Sequence, residues 1–429
     1  MKKRSYNYVT SFFVTVALFV LMVSLTTSAS MPAFAAPAAQ ASLKAAPAGE
    51  KIPSQYIVVL KHDARDTPNE VATQARERGA EVLYVYQYAI KGFAVRASAQ
   101  ALEAIKNNPN VNYVEQDQVV ETFGQTTPTG INRIDADMSS TVSGDGSGTV
   151  NVDIAIIDTG IDLKHPDLNV YKQKTFIRGT RTANDDNGHG THVAGIAAAK
   201  DDSNGVVGVA PGARLWAVKV LDRTGSGSIS SIIAGIDYVT QNAAQIEVAN
   251  MSLGCKCTSV SLDAAITNSV AAGVTYAVAA GNNAEDASSF SPANNPDVIT
   301  VSAIADSDGR CGGLGPSTSY GADDTFAAFS NYGPTVELAA PGVNIYSTYK
   351  DGSYSTLSGT SMAAPHVTGA AGLYKASHPT ASPSEVLLAL TSSGSTFTTA
   401  CDTTLNDGHG YFSGDHDGIA EPLLYARTL

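Results

Sequence analysis

From about residue 150 onward the chain carries runs in which nearly every position is apolar: 152–157 (VDIAII), 215–221, 248–253, 276–280 and 298–304. A strand with one wet face alternates; a run without alternation suits a parallel sheet covered on both faces. Stretches with helical character separate these runs at 189–199, 229–242 and 262–272, and two more follow at 360–377 and 383–392. Strand–helix alternation of this kind predicts a three-layer α/β domain with a mainly parallel sheet.

Upstream the pattern is different. Segments 55–61 (QYIVVLK), 81–87 (EVLYVYQ), 92–96 and 111–120 read as strands. Segment 68–78 reads as a helix with Pro68 in its first turn and Gly79 beyond its end, and Ser98 caps a second helix that carries Leu102 and Ile105. The order β-α-β-β-α-β is the ferredoxin-like α+β arrangement. No catalytic set of residues is visible in it.

The N-terminus speaks to location. Lys2, Lys3 and Arg4 precede an apolar run at 12–25, and Ala33-Phe34-Ala35 fits a small-residue cleavage site. This is the layout of a secretory signal peptide, and the run is shorter than the ~20 residues of a spanning helix. The expected organisation is a signal peptide at 1–35, an Ala/Pro-rich linker at 36–52, a small unit at 53–123 and a large unit at 124–429. The expected product is a secreted, extracellular monomer, free of the membrane after signal cleavage.

The net charge of −13 is uneven: residues 1–35 carry +3, residues 36–123 carry −1 and residues 124–429 carry −15. An acidic surface repels phosphate backbones, so no nucleic-acid partner is expected. Cys255, Cys257, Cys311 and Cys401 all lie in the acidic part. Export permits disulfides, but four cysteines allow three pairings, and free buried thiols are an equal reading.

Three polar constellations fall at strand ends or helix starts, where open α/β sheets build their sites. Asp158 ends an apolar strand and meets Thr159-Gly160. His189 lies in Asn187-Gly188-His189-Gly190-Thr191-His192, which opens a helix. Ser361 lies in Gly359-Thr360-Ser361-Met362-Ala363-Ala364-Pro365, which opens another. Each alone is an ordinary turn or cap. Together they supply a hydroxyl nucleophile, an imidazole base and a carboxylate to orient the base. His189 and His192 also read as H-x-x-H, but no Glu follows the first His and no third ligand offers itself, which argues against zinc. An α/β-hydrolase would need G-x-S-x-G with acid and His after Ser, and here Ala363 stands at the second Gly. A binding protein on an inactive fold is the remaining rival.

Ile156-Ile157-Asp158-Thr159-Gly160, His189-Gly190-Thr191-His192-Val193-Ala194-Gly195 and the Ser361 segment resemble, in order, the three signatures of subtilisin-like serine proteases. The resemblance runs from about Gly124 to about Ser392, and 53–123 is similar to that family's inhibitory propeptide. It implies a subtilisin-like α/β protease domain and a self-cleaving proenzyme acting on polypeptides. It implies that Asp158 orients His189, which deprotonates Ser361, and that His192 packs structurally. Ala279-Ala280-Gly281-Asn282 matches the family's oxyanion segment, with Asn282 as side-chain donor; Asn283 has the wrong offset. Ser252, Leu253 and Gly254 resemble the edge that pairs with substrate backbone. Ala279, Ala280 and Gly281, with the stretch near Phe290, would line the pocket for the residue before the scissile bond (P1). None is charged, so an apolar or aromatic P1 side chain is expected.

The resemblance also implies calcium, held by side chains of Gln125, Asp167 and Asp202 and by backbone oxygens of Lys200, Asn204 and Val206. It implies processing between Phe123 and Gly124. Departures are local: 310–326 is longer than the family's connection, and the acidic tail 401–429 extends beyond the motif-bearing core. That tail, with Asp402, Asp407, Asp415, Asp417 and Glu421, reads as a solvated acidic loop, with a cation site at the calcium-like Asp415-His416-Asp417-Gly418 as the alternative.

Overall fold

The computed structural model describes residues 51–118, 125–404 and 407–429. The chain divides into two compact units between Glu121 and Thr122. The expected signal peptide and the Phe123–Gly124 processing site lie outside the described residues.

The first unit runs β1 (Lys51–Leu60), α1 (Pro68–Glu77), β2 (Glu81–Tyr86), β3 (Gly92–Arg96), α2 (Ala99–Lys106), β4 (Val111–Gln118). Its sheet order is β2-β3-β1-β4, antiparallel throughout. β1 begins at Lys51, inside the stretch read as linker. Thr67 and Glu70 close a reciprocal cap on α1, with Thr67 N donating to the Glu70 carboxylate at 2.7 Å. Ser98 accepts from Ala101 N at the head of α2. Val58, Val71, Phe93 and Ile105 pack between sheet and helices.

The second unit opens with α3 (Thr129–Arg133), β5 (Asp153–Asp158), β6 (Val170–Thr175), α4 (His189–Ala198), β7 (Arg214–Lys219), α5 (Ile229–Gln241), β8 (Val248–Met251), α6 (Val260–Ala271) and β9 (Thr275–Ala279). It continues with β10 (Ile299–Ala305), β11 (Thr325–Phe326), β12 (Leu338–Pro341), β13 (Ile345–Tyr349), β14 (Ser353–Leu357), α7 (Thr360–Ser377) and α8 (Pro383–Ser393). The main sheet follows the order β11-β10-β9-β8-β5-β7-β6, with β12 also on β10; only β11 pairs antiparallel.

β5 shows why its sequence does not alternate. Ile154 and Ile156 face one core with Val193 of α4 and Val367 of α7. Ala155 and Ile157 face the other with Trp216, Val218, Ile236 of α5 and Ile266 of α6. Both faces are dry, so both sets of positions are apolar.

Several elements escape the sequence reading, among them α3, β6, β11, β12 and the β13–β14 hairpin. β6 (VYKQKT) is an edge strand with a largely wet surface, and the β13–β14 hairpin stands off the main sheet. The tail corrects part of another expectation. Leu423 bridges both Ala339 and Ser395, Ala426 N donates to Ile134 O at 2.7 Å, and Cys401 is bonded to Cys311. Within the tail Asp407 and Glu421 are buried, and Glu421 accepts from the Ser302 hydroxyl. Arg133, fully buried, donates to Gly408 O and Gly410 O and to Asp324. The tail is therefore packed on the unit at 407–412 and 421–426, while Asp402 and most of 413–420 stay exposed as a solvated loop would.

Candidate active site

Asp158 is the last residue of β5 and is fully buried. One carboxylate oxygen accepts Thr159 N at 2.7 Å and meets His189 Nδ1 at 2.8 Å. That contact assigns the proton to Nδ1 and turns Nε2 outward as an acceptor. Burial pushes the His189 pKa down, but the charge and hydrogen bond of Asp158 outweigh it, and the net shift is upward.

His189 is held by close backbone packing. Gly188 caps α4 at φ +114°, in the left-handed region. A Cβ on Gly190 would stand 2.2 Å from Gly160 O, so only glycine lets α4 approach the β5 turn. Lys219, at the end of β7 and fully buried, donates to Thr159 O at 2.5 Å and to Asp186 at 2.7 Å. Sequence reasoning missed this lysine because it closes a strand whose interior, Leu215 to Val218, is apolar. His192 faces Ile345 O and Ser355 O, each at 3.0 Å, and so fastens the β13–β14 hairpin to α4. Its ring is buried and its pKa is pushed down to about 4. These contacts give it a structural role.

Ser361 is the second residue of α7, and its hydroxyl reaches Ser252 O at 3.4 Å. Asn282 Oδ1 accepts from Thr360 N at 2.8 Å and from Thr360 Oγ1 at 2.9 Å. With Oδ1 so engaged, Nδ2 is the amide's remaining donor toward the cavity that Asn282 and Ser361 line together.

Two adjoining cavities flank these residues. One of about 570 Å³ is lined by His189, Ser252, Leu221 and Ile232. The other, about 270 Å³, is lined by Ala279, Ala280, Gly281, Phe290 and Ser361. Leu253, Gly254, Cys255 and Ser291 border both. All six residues expected to bind substrate thus line one cavity or the other. Lys256 also lines the smaller cavity, a charged residue beside the uncharged ones expected there. It sits between Cys255 and Cys257, which are bonded to each other.

The expected calcium ligands also converge. Gln125 Nε2 lies 2.7 Å from Lys200 O, 3.2 Å from Val206 O and 3.3 Å from Asn204 O. Three carbonyl oxygens thus point at one position, and a single amide nitrogen has two protons to offer them. Gln125 Oε1 and Asp167 Oδ1 are both buried without a partner. Burial raises the Asp167 pKa to about 6, helped by the nearby Asp202 carboxylate, although Val206 N donates to it. Convergent oxygens with orphaned acceptors fit a hard cation. Asp202 is exposed and accepts from Asn204 N at 3.2 Å. A separate acidic group, Asp306, Asp308 and Asp323, has ligand oxygens within 4.8 Å of one another. Asp306 and Asp323 there already accept backbone N–H groups of Gly309, Ser307 and Gly315.

An α/β domain with a carboxylate at the end of a sheet strand and an imidazole and a serine at helix starts has the make-up of a serine hydrolase. The model of the subtilase family matches residues 149–411, and that of the peptidase inhibitor I9 family matches residues 55–123. The chain is 39% identical over 312 residues to an alkaline protease of Alkalihalobacillus alcalophilus, covering 72% of this chain and 76% of that protein. It is 40% identical over 387 residues to an extracellular serine proteinase of Thermus sp. (strain Rt41A), covering 83% and 88%. The crystal structure of a cold adapted subtilisin-like serine proteinase superposes with a TM-score of 0.54 at 33% identity, covering 70% of this chain and 97% of that one. The chain belongs to the subtilase family: it is a serine endopeptidase that carries an I9 propeptide ahead of its protease domain. Among the described residues no helix is long and apolar enough to cross a membrane.

Proposed function

We propose that this chain is the precursor of a secreted endopeptidase of broad specificity, which cleaves after apolar or aromatic residues once its own propeptide is removed. The observation that carries the reading is the 2.8 Å contact of His189 Nδ1 with the buried Asp158, with His189 lining the larger cavity and Ser361 the smaller one that adjoins it. In this reading His189 Nε2 takes the Ser361 proton as Oγ attacks the peptide carbonyl. The carbonyl oxygen becomes an oxyanion, received by Asn282 Nδ2 and the Ser361 backbone N–H. Collapse expels the amine, which carries off the proton from His189, and leaves an acyl ester on Ser361. Water, deprotonated by the same imidazole, then releases the acid and restores the hydroxyl.

Substrate backbone adds as a strand beside Ser252, Leu253 and Gly254, a mode suited to extended polypeptide. The P1 side chain enters the cavity floored by Ala279, Ala280 and Phe290. Gln125, Asp167 and Asp202, with the carbonyls of Lys200, Asn204 and Val206, hold one calcium ion, whose role is to tie distant segments together rather than to react. Unit 53–123 inhibits the enzyme until cleavage between Phe123 and Gly124 frees the mature chain. Expression of the full chain beside Ser361→Ala tests the whole: intact mass, N-terminal sequencing and casein hydrolysis should show cleavage and activity in the first only. Casein hydrolysis by purified Ser361→Ala at the parent rate would overturn it.

A further inference from the structure

The smaller cavity carries one charge that the family-wide reading does not use. Lys256 lines it, while its ion-pair partner Glu285 does not. Both side chains keep contact with solvent, at 59% and 43% exposure. We propose that Lys256 is a specificity-determining residue that lets the P1 pocket accept acidic side chains and turns basic ones away; this rests on the P1 assignment made above.

The backbone around Lys256 is pinned. Cys255 N donates to Ser291 O at 2.9 Å and Ser291 N donates back to Cys255 O at 3.0 Å. The Cys255–Cys257 disulfide closes a loop that holds Lys256 alone, and Cys257 N donates to Cys255 O at 2.8 Å. Lys256 therefore cannot withdraw with a moving loop; only its side chain is free to choose a partner. Glu285 is fixed in the same way, with its N–H on Asn331 Oδ1 and its carbonyl receiving Tyr332 N, both at 3.1 Å.

An exposed ion pair is weak, because water screens it and two long side chains lose freedom in making it. A substrate carboxylate entering the pocket exchanges one partner of Lys256 for another at little cost. A substrate ammonium or guanidinium meets the Lys256 charge first, because the cation lines the pocket and the anion stands outside it. The floor stays apolar, so Phe and Leu remain good P1 residues, and the charge acts at the mouth.

The test uses matched peptide amides with P1 Phe, Gln, Glu and Lys, and reads kcat/KM ratios within each enzyme, which cancels any general loss of activity. The uncharged Gln is the reference. In Lys256→Met the Glu/Gln ratio should fall about 3- to 10-fold and the Lys/Gln ratio should rise. Glu285→Gln, which frees Lys256, should move the Glu/Gln ratio the other way, and molar salt should flatten both effects. A Glu/Gln ratio that stays within 1.5-fold of the parent in both variants overturns the proposal while leaving the P1 pocket intact. If a protein digest by the parent enzyme shows no P1 preference at all, the pocket assignment fails and the proposal with it. Should Lys256→Met fail to fold, Glu285→Gln and the salt series decide alone.

Discussion

Ser252 donates its hydroxyl proton to the carbonyl of Ser361 at 2.8 Å. Ser361 lies four residues before Pro365, which sits inside α7 and has no N–H to offer that carbonyl. The proline would leave the oxygen unpaired in a buried helix; a side chain from the end of β8 supplies the missing donor instead. The segment that carries the proposed nucleophile is thus joined to the edge proposed to bind substrate. Ser252→Ala should cost about 1–3 kcal/mol, the range for a buried polar group left unsatisfied. Denaturant midpoints of Ser252→Ala measured in a Ser361→Ala background, which prevents self-digestion, give the value. A difference below ~0.3 kcal/mol would show the contact to be idle.

Asn282 performs two tasks with one amide, since Oδ1 holds Thr360 and Nδ2 faces the cavity. Asn282→Ala should lower kcat about 10²- to 10³-fold with little change in KM; this figure is the one measured for such a donor in a subtilisin and is carried over. Asn282→Asp keeps an acceptor for Thr360 but loses the donor, and should be at least as damaged. A loss below tenfold in both variants would remove Asn282 from the oxyanion site.

The pH profile follows from the same geometry. His189 acts as a base only when neutral, and Asp158 raises its pKa above the ordinary ~6.5. The acid limb of kcat/KM should therefore lie above pH 6.5. In Asp158→Asn the residual activity should show its acid limb at lower pH, because the charge that stabilises imidazolium is gone. A limb unmoved by that substitution contradicts the role given to Asp158.

Calcium dependence should itself depend on pH. The Asp167 pKa is raised to about 6 in the folded state, above its unfolded value of 3.8. A carboxyl shifted upward binds its proton more tightly when folded, so metal-free protein loses stability as pH rises from about 4 to about 6. The cation supplies the charge that the buried carboxylate lacks, and contributes ~2.7 kcal/mol at 100 times its dissociation constant. The fall in melting temperature caused by a chelator should therefore be small near pH 4.5 and large at pH 8. Asp167→Asn should show a much reduced fall at pH 8. Superimposable melting curves with chelator and with millimolar calcium, on metal-free protein at pH 8, would exclude the site.

What the sequence made legible follows from burial. β5, β7, β9 and β10 are covered on both faces, so they stand out as unbroken apolar runs with correct positions to within about two residues. α7 was readable to its last residue because glycine and small residues mark its start. β6 was not, because Tyr171, Gln173 and Lys174 are exposed at a sheet edge and no apolar period remains. Asp158, His189 and Ser361 could be found because each sits in a short local motif. Lys256 could not, since its place in the pocket depends on contact with residues some 25 positions further along, and no local pattern encodes that. The disulfide pairing was equally closed to sequence: Cys311 and Cys401 are 90 residues apart and meet only because the tail returns to the sheet.

The two-faced burial of β5 has a consequence for how the gene can change length. Successive side chains of this strand belong to opposite cores, and Asp158 is the last of them, paired in register with Lys219 as Ile154 is with Leu215. Removing or adding one residue between Asp153 and Asp158 would exchange the two cores' side chains and, in the same event, rotate the carboxylate away from His189. Neither defect could be repaired by a point substitution elsewhere. Insertions and deletions are therefore tolerable only where no strand register feeds the site, and a deletion scan should find β5 silent at every length but its own.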